Sequence, residues 1–218
     1  MARLGVLGGT FDPVHLGHLA VGQAARAALA LDEVRLVPSR VPPHRDAPHA
    51  SGFHRFAMAA LATQDEPGWT ISDDELTRDG ASYSYDTLTA TAAEGRAATQ
   101  IFFLIGADAF AEIATWSRYP AVLDLAHFVV VTRPGTSIDE VRARVPDLAT
   151  RLIDLDSVAG AAGPAIVLLP AATPDVSSTE IRARAARGAS LADLVKEPVE
   201  QYIRRHGLYV AEAPSVGH

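Results

Sequence analysis

The sequence predicts an α/β protein with a mainly parallel sheet. Short apolar runs alternate along the chain with longer segments of helical periodicity, which is the pattern of successive β-α-β units. A length of 218 residues with 48% apolar content is enough for one core of ordinary size. We therefore expect one domain over residues 1–210, helical from about residue 176 onward, followed by a disordered tail over 211–218.

Each element is assigned from its own pattern. Apolar runs of strand length, ended by Gly, Pro or polar residues, predict strands at Arg3–Leu7, Val34–Pro38, Thr70–Ser72, Ile101–Ile105, Phe128–Thr132 and Ile166–Leu169. Apolar residues three and four apart predict helices at Leu16–Leu29, Phe53–Thr63, Ile138–Leu148, Ser178–Arg187 and Val199–Arg205. A further helix is expected to open at Asp86-Thr87, because both residue types cap helices well.

Composition excludes several classes of function. The chain has no cysteine, which excludes disulfides, thiolate catalysis and cysteine-ligated metals. Lys196 is its one lysine, so a P-loop or a Schiff-base enzyme is not expected. With a net charge of −7, we expect no nucleic-acid or membrane partner, and an anionic ligand requires a local basic pocket. Neither a signal peptide nor a membrane span is recognisable, so a cytoplasmic protein is expected.

The turn after the first strand carries the strongest chemical signal. It reads Gly8-Gly9-Thr10-Phe11-Asp12-Pro13-Val14-His15-Leu16-Gly17-His18. Two glycines allow close approach of a ligand, and the following helix directs unpaired N–H groups toward the strand end, where a phosphate is favoured. His15 and His18 lie three residues apart and share a helix face. Ordinary turn chemistry explains two glycines equally well, and the two histidines with His44 could instead ligate a metal.

The whole string resembles the (T/S)FDPxHxGH signature of the nucleotidyltransferase superfamily. The resemblance implies a Rossmann-like, doubly wound sheet with a small C-terminal helical part. It also implies that His15 and His18 bind the triphosphate of ATP, and that the backbone at Gly8, Gly9 and Thr10 lines the nucleotide site.

Further motifs narrow the resemblance to the nicotinate-nucleotide adenylyltransferases. Pro42-Pro43-His44-Arg45 matches that family's PPH loop, although Arg40 departs from its usual Asn. The segment 40–55 is also expected to supply the local basic pocket, because it gathers six basic residues: Arg40, His44, Arg45, His49, His54 and Arg55. A solvated surface loop is the alternative for His44 and Arg45, and His49 and His54 are assigned no role.

Three more segments resemble family motifs. Ser82–Leu88 is similar to SYTxDT, which implies that Ser84, Tyr85 and Thr87 lie at the acceptor site, Ser84 near the nicotinate carboxylate; helix capping is an alternative for Thr87. Phe103–Asp108 resembles FIIGxD, which implies that Gly106 and Asp108 contact the nucleotide, with a helix N-cap as the alternative for Asp108. Trp116 would be core by default, but the resemblance implies stacking on the pyridine ring, with the backbone N–H of Ser117 near its carboxylate.

Two arginines complete the set of expected anion ligands. Arg133 follows a strand end, where it suits the phosphate of the mononucleotide, although an arginine before Pro-Gly also suits a surface turn. Val176–Arg182 resembles the superfamily's ISST-x-IR motif, so a phosphate site at a helix N-terminus is expected from four residues: Ser177, Ser178, Thr179 and Arg182. Helix capping explains the serines as well, but it does not explain Arg182 one turn into the same helix. The order of the motifs extends to Glu197–Tyr209, which is similar to the family's ending.

The resemblance implies adenylyl transfer from Mg²⁺-ATP to nicotinate mononucleotide, giving nicotinate adenine dinucleotide and pyrophosphate in NAD biosynthesis. His15, His18 and Arg182 are the expected catalytic residues, Asp12 is expected at the acceptor site, and Mg²⁺ is expected on the ATP phosphates without a protein ligand. One alternative is another acceptor: nicotinamide mononucleotide, phosphopantetheine or riboflavin phosphate. A non-catalytic nucleotide sensor is a second alternative, and the sequence leaves a homo-oligomer open.

Overall fold

A parallel sheet forms the centre of the molecule. The computed structural model describes residues 2–41, 47–132 and 138–210. Within them, seven strands pair in the order β3-β2-β1-β4-β5-β7-β6, and every pairing is parallel. The strands are β1 (Leu4–Gly9), β2 (Glu33–Pro38), β3 (Trp69–Ile71), β4 (Ile101–Gly106), β5 (His127–Thr132), β6 (Leu152–Ile153) and β7 (Ile166–Pro170).

Helices connect the strands and cover both faces of the sheet. They are α1 (Leu16–Leu29), α2 (Gly52–Thr63), α3 (Asp74–Thr77), α4 (Ser84–Ala93), α5 (Ala107–Phe110), α6 (Ile138–Arg144), α7 (Ser178–Ala186) and α8 (Glu197–Arg205). Short 3-10 turns occupy Ala98–Gln100, Ile113–Thr115, Ala121–Asp124, Pro146–Arg151 and Leu155–Gly160. No helix in the described ranges is long and apolar enough to cross a membrane.

Side chains alternate between two apolar layers, as the two-residue period of a strand requires. In β4, Phe102 and Leu104 face one layer, whereas Ile101, Phe103 and Ile105 face the other. The first layer includes residues of α1, α2, α7 and α8, and the second includes residues of α4, α5 and α6. The C-terminal helices therefore pack into the same core as α1 and α2.

The predicted α/β class and parallel sheet are confirmed, and the six predicted strands agree with the structure within two residues. Sequence patterns missed β6, because two residues between 3-10 turns carry no detectable alternation. The tail predicted over 211–218 lies outside the described residues.

Two predicted helices have different boundaries. The helix expected over Ile138–Leu148 ends at Arg144, because Pro146 disfavours helical backbone at Val145, whose φ and ψ are −133° and 58°. The helix expected to open at Asp86-Thr87 opens at Ser84, with Tyr83 as its N-cap. Asp86 therefore lies in the first turn, where its charge favours the helix dipole, and neither Asp86 nor Thr87 is the cap.

Candidate active site

The sheet order reverses between β1 and β4, and this is where open α/β sheets bind ligands, outside the carboxyl ends of the strands. Gly8 and Gly9 end β1, and Gly106 ends β4 beside them. Gly8 and Gly106 are exposed, and no atom lies within 4 Å of where a Cβ on Gly106 would project. Asp108, also exposed, follows in the first turn of α5. Backbone and ligand can approach closely at this edge.

The loop after β1 adopts a strained conformation. Phe11 has a φ of +50°, a left-handed conformation that costs a bulky residue about 1–2 kcal/mol. Its ring is buried and lies edge-on to the His18 ring, with centroids 4.9 Å apart. A Cβ on Gly9 would lie 3.0 Å from the Phe11 ring, so a larger residue at this position would press on the ring. The strain is maintained by the contacts around the loop.

His15 and His18 are brought together at the N-terminus of α1. Their rings stack with centroids 3.7 Å apart, and the backbone N–H of His15 donates to Nδ1 of His18 over 3.2 Å. Because Nδ1 accepts this bond, the proton of a neutral His18 ring lies on Nε2, which is then a donor. Burial lowers the pKa of His15 from 6.5 to about 4, so this ring is neutral at pH 7. Within the described residues, its buried Nδ1 has no hydrogen-bond partner.

Helix α7 contacts the same loop from the other end of the chain. Arg182 Nη1 donates to the carbonyl of Asp12 over 2.7 Å, and Nη2 donates to Thr179 Oγ1 over 3.3 Å. Ser178 Oγ donates to the carbonyl of Pro13 over 2.9 Å. Ser177 caps the helix, because its Oγ accepts the N–H of Glu180. The half-buried guanidinium of Arg182 therefore lies beside the loop that leads to His15.

The carboxylate of Asp12 is buried among donors from distant segments. It accepts the backbone N–H groups of His49 and Ala50 over 2.7 and 3.1 Å. Tyr209 donates its hydroxyl to the same carboxylate over 2.8 Å. These partners are parts of the protein, so the acceptor-site role predicted for Asp12 stays a prediction.

Two contributors to this loop were missed by sequence reasoning. Arg55 is 1% exposed, and it donates to the carbonyls of Thr10 and Ala50 over 2.6 and 3.1 Å. The sequence does indicate that Arg55 is buried, because it lies on the same face of α2 as the apolar residues Met58, Ala59 and Ala62. Tyr209 belongs to the segment that resembles the family's ending, but nothing in that motif indicates its contact with Asp12.

The expected acceptor-site residues lie in α4 and in the segment after α5. Trp116 is half-buried, and its ring lies edge-on to Phe103, with centroids 6.0 Å apart. Phe103 in turn lies 3.8 Å from where a Cβ on Gly8 would project, which places Trp116 beside the end of β1. Ser84 opens α4, and Tyr85 beside it lies under the guanidinium of Arg118, 5.7 Å from the ring centroid. Ser117, half-buried, follows Trp116 directly.

Thr87 has protein partners. It is buried, donates to Glu75 over 2.5 Å and accepts from Arg78 over 3.1 Å, so it joins α4 to α3. The structure therefore accounts for Thr87 by a contact that neither expectation included, and its acceptor-site role stays a prediction.

Three basic side chains of the segment 40–55 bind other parts of the protein, and for Arg55, which is buried, the expected place in a basic pocket is wrong. Arg40 pairs with Asp79 and with the carbonyl of Arg78, His54 contacts the hydroxyl of Tyr202, and Arg55 is buried beneath the loop. Each side chain is directed by hydrogen bonds to distant segments, which spacing along the chain does not reveal. The predicted ligands His44, Arg45 and Arg133 lie outside the described residues.

Comparison with known proteins identifies the family. Residues 6–184 match the model of the family described as cytidylyltransferase-like. "Probable nicotinate-nucleotide adenylyltransferase" of Chromohalobacter salexigens is 41% identical over 214 residues, which cover 95% of this chain and 96% of that protein. The protein of the same name from Pseudomonas paraeruginosa is 40% identical over 209 residues, covering 96% and 98%. The chain belongs to the nicotinate-nucleotide adenylyltransferase family.

Family membership confirms the resemblance inferred from the motifs, and a solved structure confirms the fold. The nicotinic acid mononucleotide adenylyltransferase of Plasmodium falciparum, complexed with NaAD, superposes with a TM-score of 0.72 over 96% of this chain and 98% of that one. At 16% sequence identity, this similarity shows a shared Rossmann-like architecture. The nicotinate-nucleotide adenylyltransferase fold thus survives extensive sequence change.

Proposed function

We propose that this protein transfers the adenylyl group of ATP to nicotinate mononucleotide, giving nicotinate adenine dinucleotide and pyrophosphate in NAD biosynthesis. The observation that carries the proposal is family membership, at about 40% identity over nearly the whole chain. The site agrees with it, since the histidine pair and Arg182 meet one loop at the carboxyl edge of β1. The reaction requires such a site for a polyphosphate.

The chemistry is a direct displacement at the α-phosphorus of ATP. An oxygen of the mononucleotide's phosphate forms a new bond to that phosphorus, the bond from phosphorus to the β-phosphate's bridging oxygen breaks, and pyrophosphate leaves. A phosphate monoester has a second pKa of about 6, so the attacking group is mostly dianionic at pH 7 without a general base. The protein therefore supplies alignment and stabilisation of the leaving group.

The described residues suit that task in different ways. His18 offers its Nε2 proton to a phosphate oxygen, because its Nδ1 is occupied by the backbone. His15 is neutral before ATP binds and acts as a hydrogen-bond partner, while Arg182 supplies permanent positive charge. The backbone N–H groups at the N-terminus of α7, including that of Ser178, and the hydroxyl of Thr179 add donors for the β- and γ-phosphates. Gly8, Gly9, Thr10, Gly106 and Asp108 line the remainder of the nucleotide site.

Acceptor recognition is assigned to the neighbouring segments. Trp116 stacks on the pyridine ring, and Ser84 with the backbone of Ser117 binds its carboxylate. We propose that His44, Arg45, Tyr85 and Arg133 complete the acceptor site. Asp12 and Thr87 were also expected there, but their side chains bind other parts of the protein. Gly8 is exposed near the end of β1, the strand that leads to the histidine pair, and we propose that the acceptor's phosphate reaches the α-phosphorus at this edge.

Mg²⁺ is proposed to enter as part of the substrate, bound to ATP. Among the described residues, no group of three or more His, Asp or Glu side chains is arranged to hold a metal ion. Mg²⁺ commonly keeps several waters and binds through substrate phosphates, so the ATP complex needs no protein cage. The positive charges of Mg²⁺ and of Arg182 would together stabilise the negative charge of the leaving pyrophosphate.

Product analysis tests the proposal. Purified protein is incubated with Mg²⁺-ATP and, separately, with nicotinate mononucleotide, nicotinamide mononucleotide, riboflavin phosphate or phosphopantetheine, and products are separated by chromatography. We expect nicotinate adenine dinucleotide and pyrophosphate in equal amounts, and the highest kcat/KM for nicotinate mononucleotide. Preference for another acceptor would contradict the assigned substrate, and ATP binding without turnover would contradict the assigned activity.

A further inference from the structure

The loop between β1 and α1 is held by side chains from three distant parts of the chain. From the 47–55 segment, Arg55 binds the carbonyl of Thr10, and the N–H groups of His49 and Ala50 bind the Asp12 carboxylate. From α7, Arg182 and Ser178 bind the carbonyls of Asp12 and Pro13. From the segment after α8, Tyr209 binds Asp12. Residues far apart in the sequence thus meet at this loop.

These contacts stabilise a loop conformation that is unfavourable by itself. The left-handed φ of Phe11 is unfavourable, and such a conformation persists only where surrounding structure over-determines it. Its buried ring contacts His18 directly, so a change of φ at this residue would displace the histidine pair. Contacts that hold the loop therefore also fix where His18 presents its donor.

Tyr209 is well placed to exert this control. It lies in the segment Glu197–Tyr209, after α8, and 197 residues from Asp12. Its own φ of +64° is left-handed and unfavourable, so the tyrosine is held in an unusual conformation that brings its hydroxyl to the carboxylate. Burial and the Asp12 carboxylate both raise the pKa of Tyr209, so the hydroxyl stays protonated and donates at any working pH.

We propose that Tyr209 is a positioning residue of the adenylyl-transfer site, holding Asp12 and thereby the loop that presents His15 and His18 to the phosphates. The inference rests on the proposed function. In this proposal Asp12 anchors the loop, because its carboxylate oxygens accept hydrogen bonds from His49, Ala50 and Tyr209. Because the histidine pair acts on the leaving pyrophosphate, loosening this anchor lowers kcat more than it changes substrate binding.

The test compares two tyrosine-to-phenylalanine variants. Tyr209→Phe removes the hydroxyl at Asp12, whereas Tyr202→Phe removes one that contacts His54 Nδ1 over 3.0 Å, away from the loop. At a temperature where both variants are folded by circular dichroism, we expect Tyr209→Phe to lower kcat about tenfold, since 1.4 kcal/mol in a barrier is a factor of ten. KM for ATP and for nicotinate mononucleotide should stay within about twofold, and Tyr202→Phe should match the wild type.

Three results would overturn the positioning role: a wild-type kcat for Tyr209→Phe, equal losses of kcat in both variants, or a raised KM for nicotinate mononucleotide at unchanged kcat. The last would indicate that this pair faces the acceptor directly.

A second variant tests whether Tyr209 acts through Asp12. Asp12→Asn places an amide group among the three donors that bind the carboxylate, so this variant should itself lower kcat. In the double variant, Tyr209→Phe should then lower kcat little further. Additive losses would contradict coupling through Asp12. Absence of transfer by the wild-type protein would overturn both proposals, whereas transfer by the wild type with an unaffected Tyr209→Phe contradicts only this one.

Discussion

At the scale of single residues, the site is built from groups whose environment sets their chemical form. His15 is neutral because it is buried, and His18 is oriented because the N–H of His15 occupies its Nδ1. Arg182 is half-buried and donates to the carbonyl of Asp12 in the same loop. A histidine donor and a guanidinium therefore meet one loop, as the proposed phosphate site requires.

Removing the donor of His18 should affect the transition state. We expect His18→Ala to lower kcat about 100-fold while KM for nicotinate mononucleotide changes little, because charge on the leaving pyrophosphate develops only during transfer. Steady-state kinetics with each substrate varied measures both quantities. His206→Ala, an exposed histidine on the C-terminal side of α8, is the matched control and should behave as the wild type. Equal losses in kcat and in mononucleotide affinity would contradict the role.

Replacing Trp116 should affect the binding of nicotinate mononucleotide and not the rate of transfer. Trp116→Ala should raise KM for nicotinate mononucleotide about tenfold, since base-aromatic stacking contributes about 1–3 kcal/mol, and should leave KM for ATP nearly unchanged. Trp116→Phe retains a flat ring and should have a smaller effect. A collapse of ATP affinity in Trp116→Ala would instead assign the residue to the packing against Phe103.

At the scale of elements, the fit of α1 against the sheet depends on one close contact. Gly22 lies on the buried face of α1, and a Cβ there would lie 2.3 Å from the Trp69 ring of β3. Glycine costs a helix about 1 kcal/mol relative to alanine, so its presence indicates that packing outweighs helix propensity here. The position of α1, and with it of the histidine pair at its N-terminus, follows from this contact.

We expect Gly22→Ala to lower the free energy of unfolding by about 1–3 kcal/mol, because the clash exceeds the gain in helix propensity. Chemical denaturation measures the change. Ala27→Gly, at an exposed position of the same helix, is the control and should cost about 1 kcal/mol through propensity alone. In a Trp69→Phe background, Gly22→Ala should cost less. If Gly22→Ala instead raised the free energy of unfolding, α1 or the Trp69 ring would have to shift to accept the Cβ at little cost.

At the scale of the whole molecule, folding buries histidines in their neutral form. His127 is 1% exposed, its Nδ1 accepts the N–H of Ala165 over 3.1 Å, and its ring stacks on Phe102. Burial, with a further contribution from the Arg3 cation, lowers the pKa of His127 below 6.5. The unfolded chain therefore binds more protons than the folded protein below about pH 6.5, and stability falls as the pH falls.

Acid should therefore destabilise the protein in a defined window. We expect the free energy of unfolding to be constant near pH 7 and above, as far as these histidines determine it, and to fall from about pH 6.5 downward. For His15 alone the loss reaches about 3 kcal/mol near pH 4, from its shift of 6.5 to about 4.

Denaturation at a series of pH values measures this dependence. His127→Gln keeps an acceptor for Ala165 but does not titrate, so its stability should depend less steeply on pH than that of the wild type. His206→Gln, at an exposed position, is the control and should leave the slope unchanged. An unchanged slope in His127→Gln would contradict the assignment.

The sequence by itself determined the fold class, six strands and the turn after β1, because these depend on short-range properties: periodicity, turn residues and a contiguous motif. The same holds for Ser177 as a helix cap, which needs only the neighbouring N–H groups. The family could likewise be inferred from motifs in order, since each motif is local.

Only the tertiary structure decided which polar residues hold the site together. Tyr209 meets Asp12 across 197 residues, and Arg55 is buried beneath Thr10 instead of joining a basic pocket. Thr87 pairs with Glu75, a partner that its motif does not indicate. A side chain's partner depends on which segments the folded chain brings together. Packing of the layers sets that proximity, and no spacing along the sequence records it.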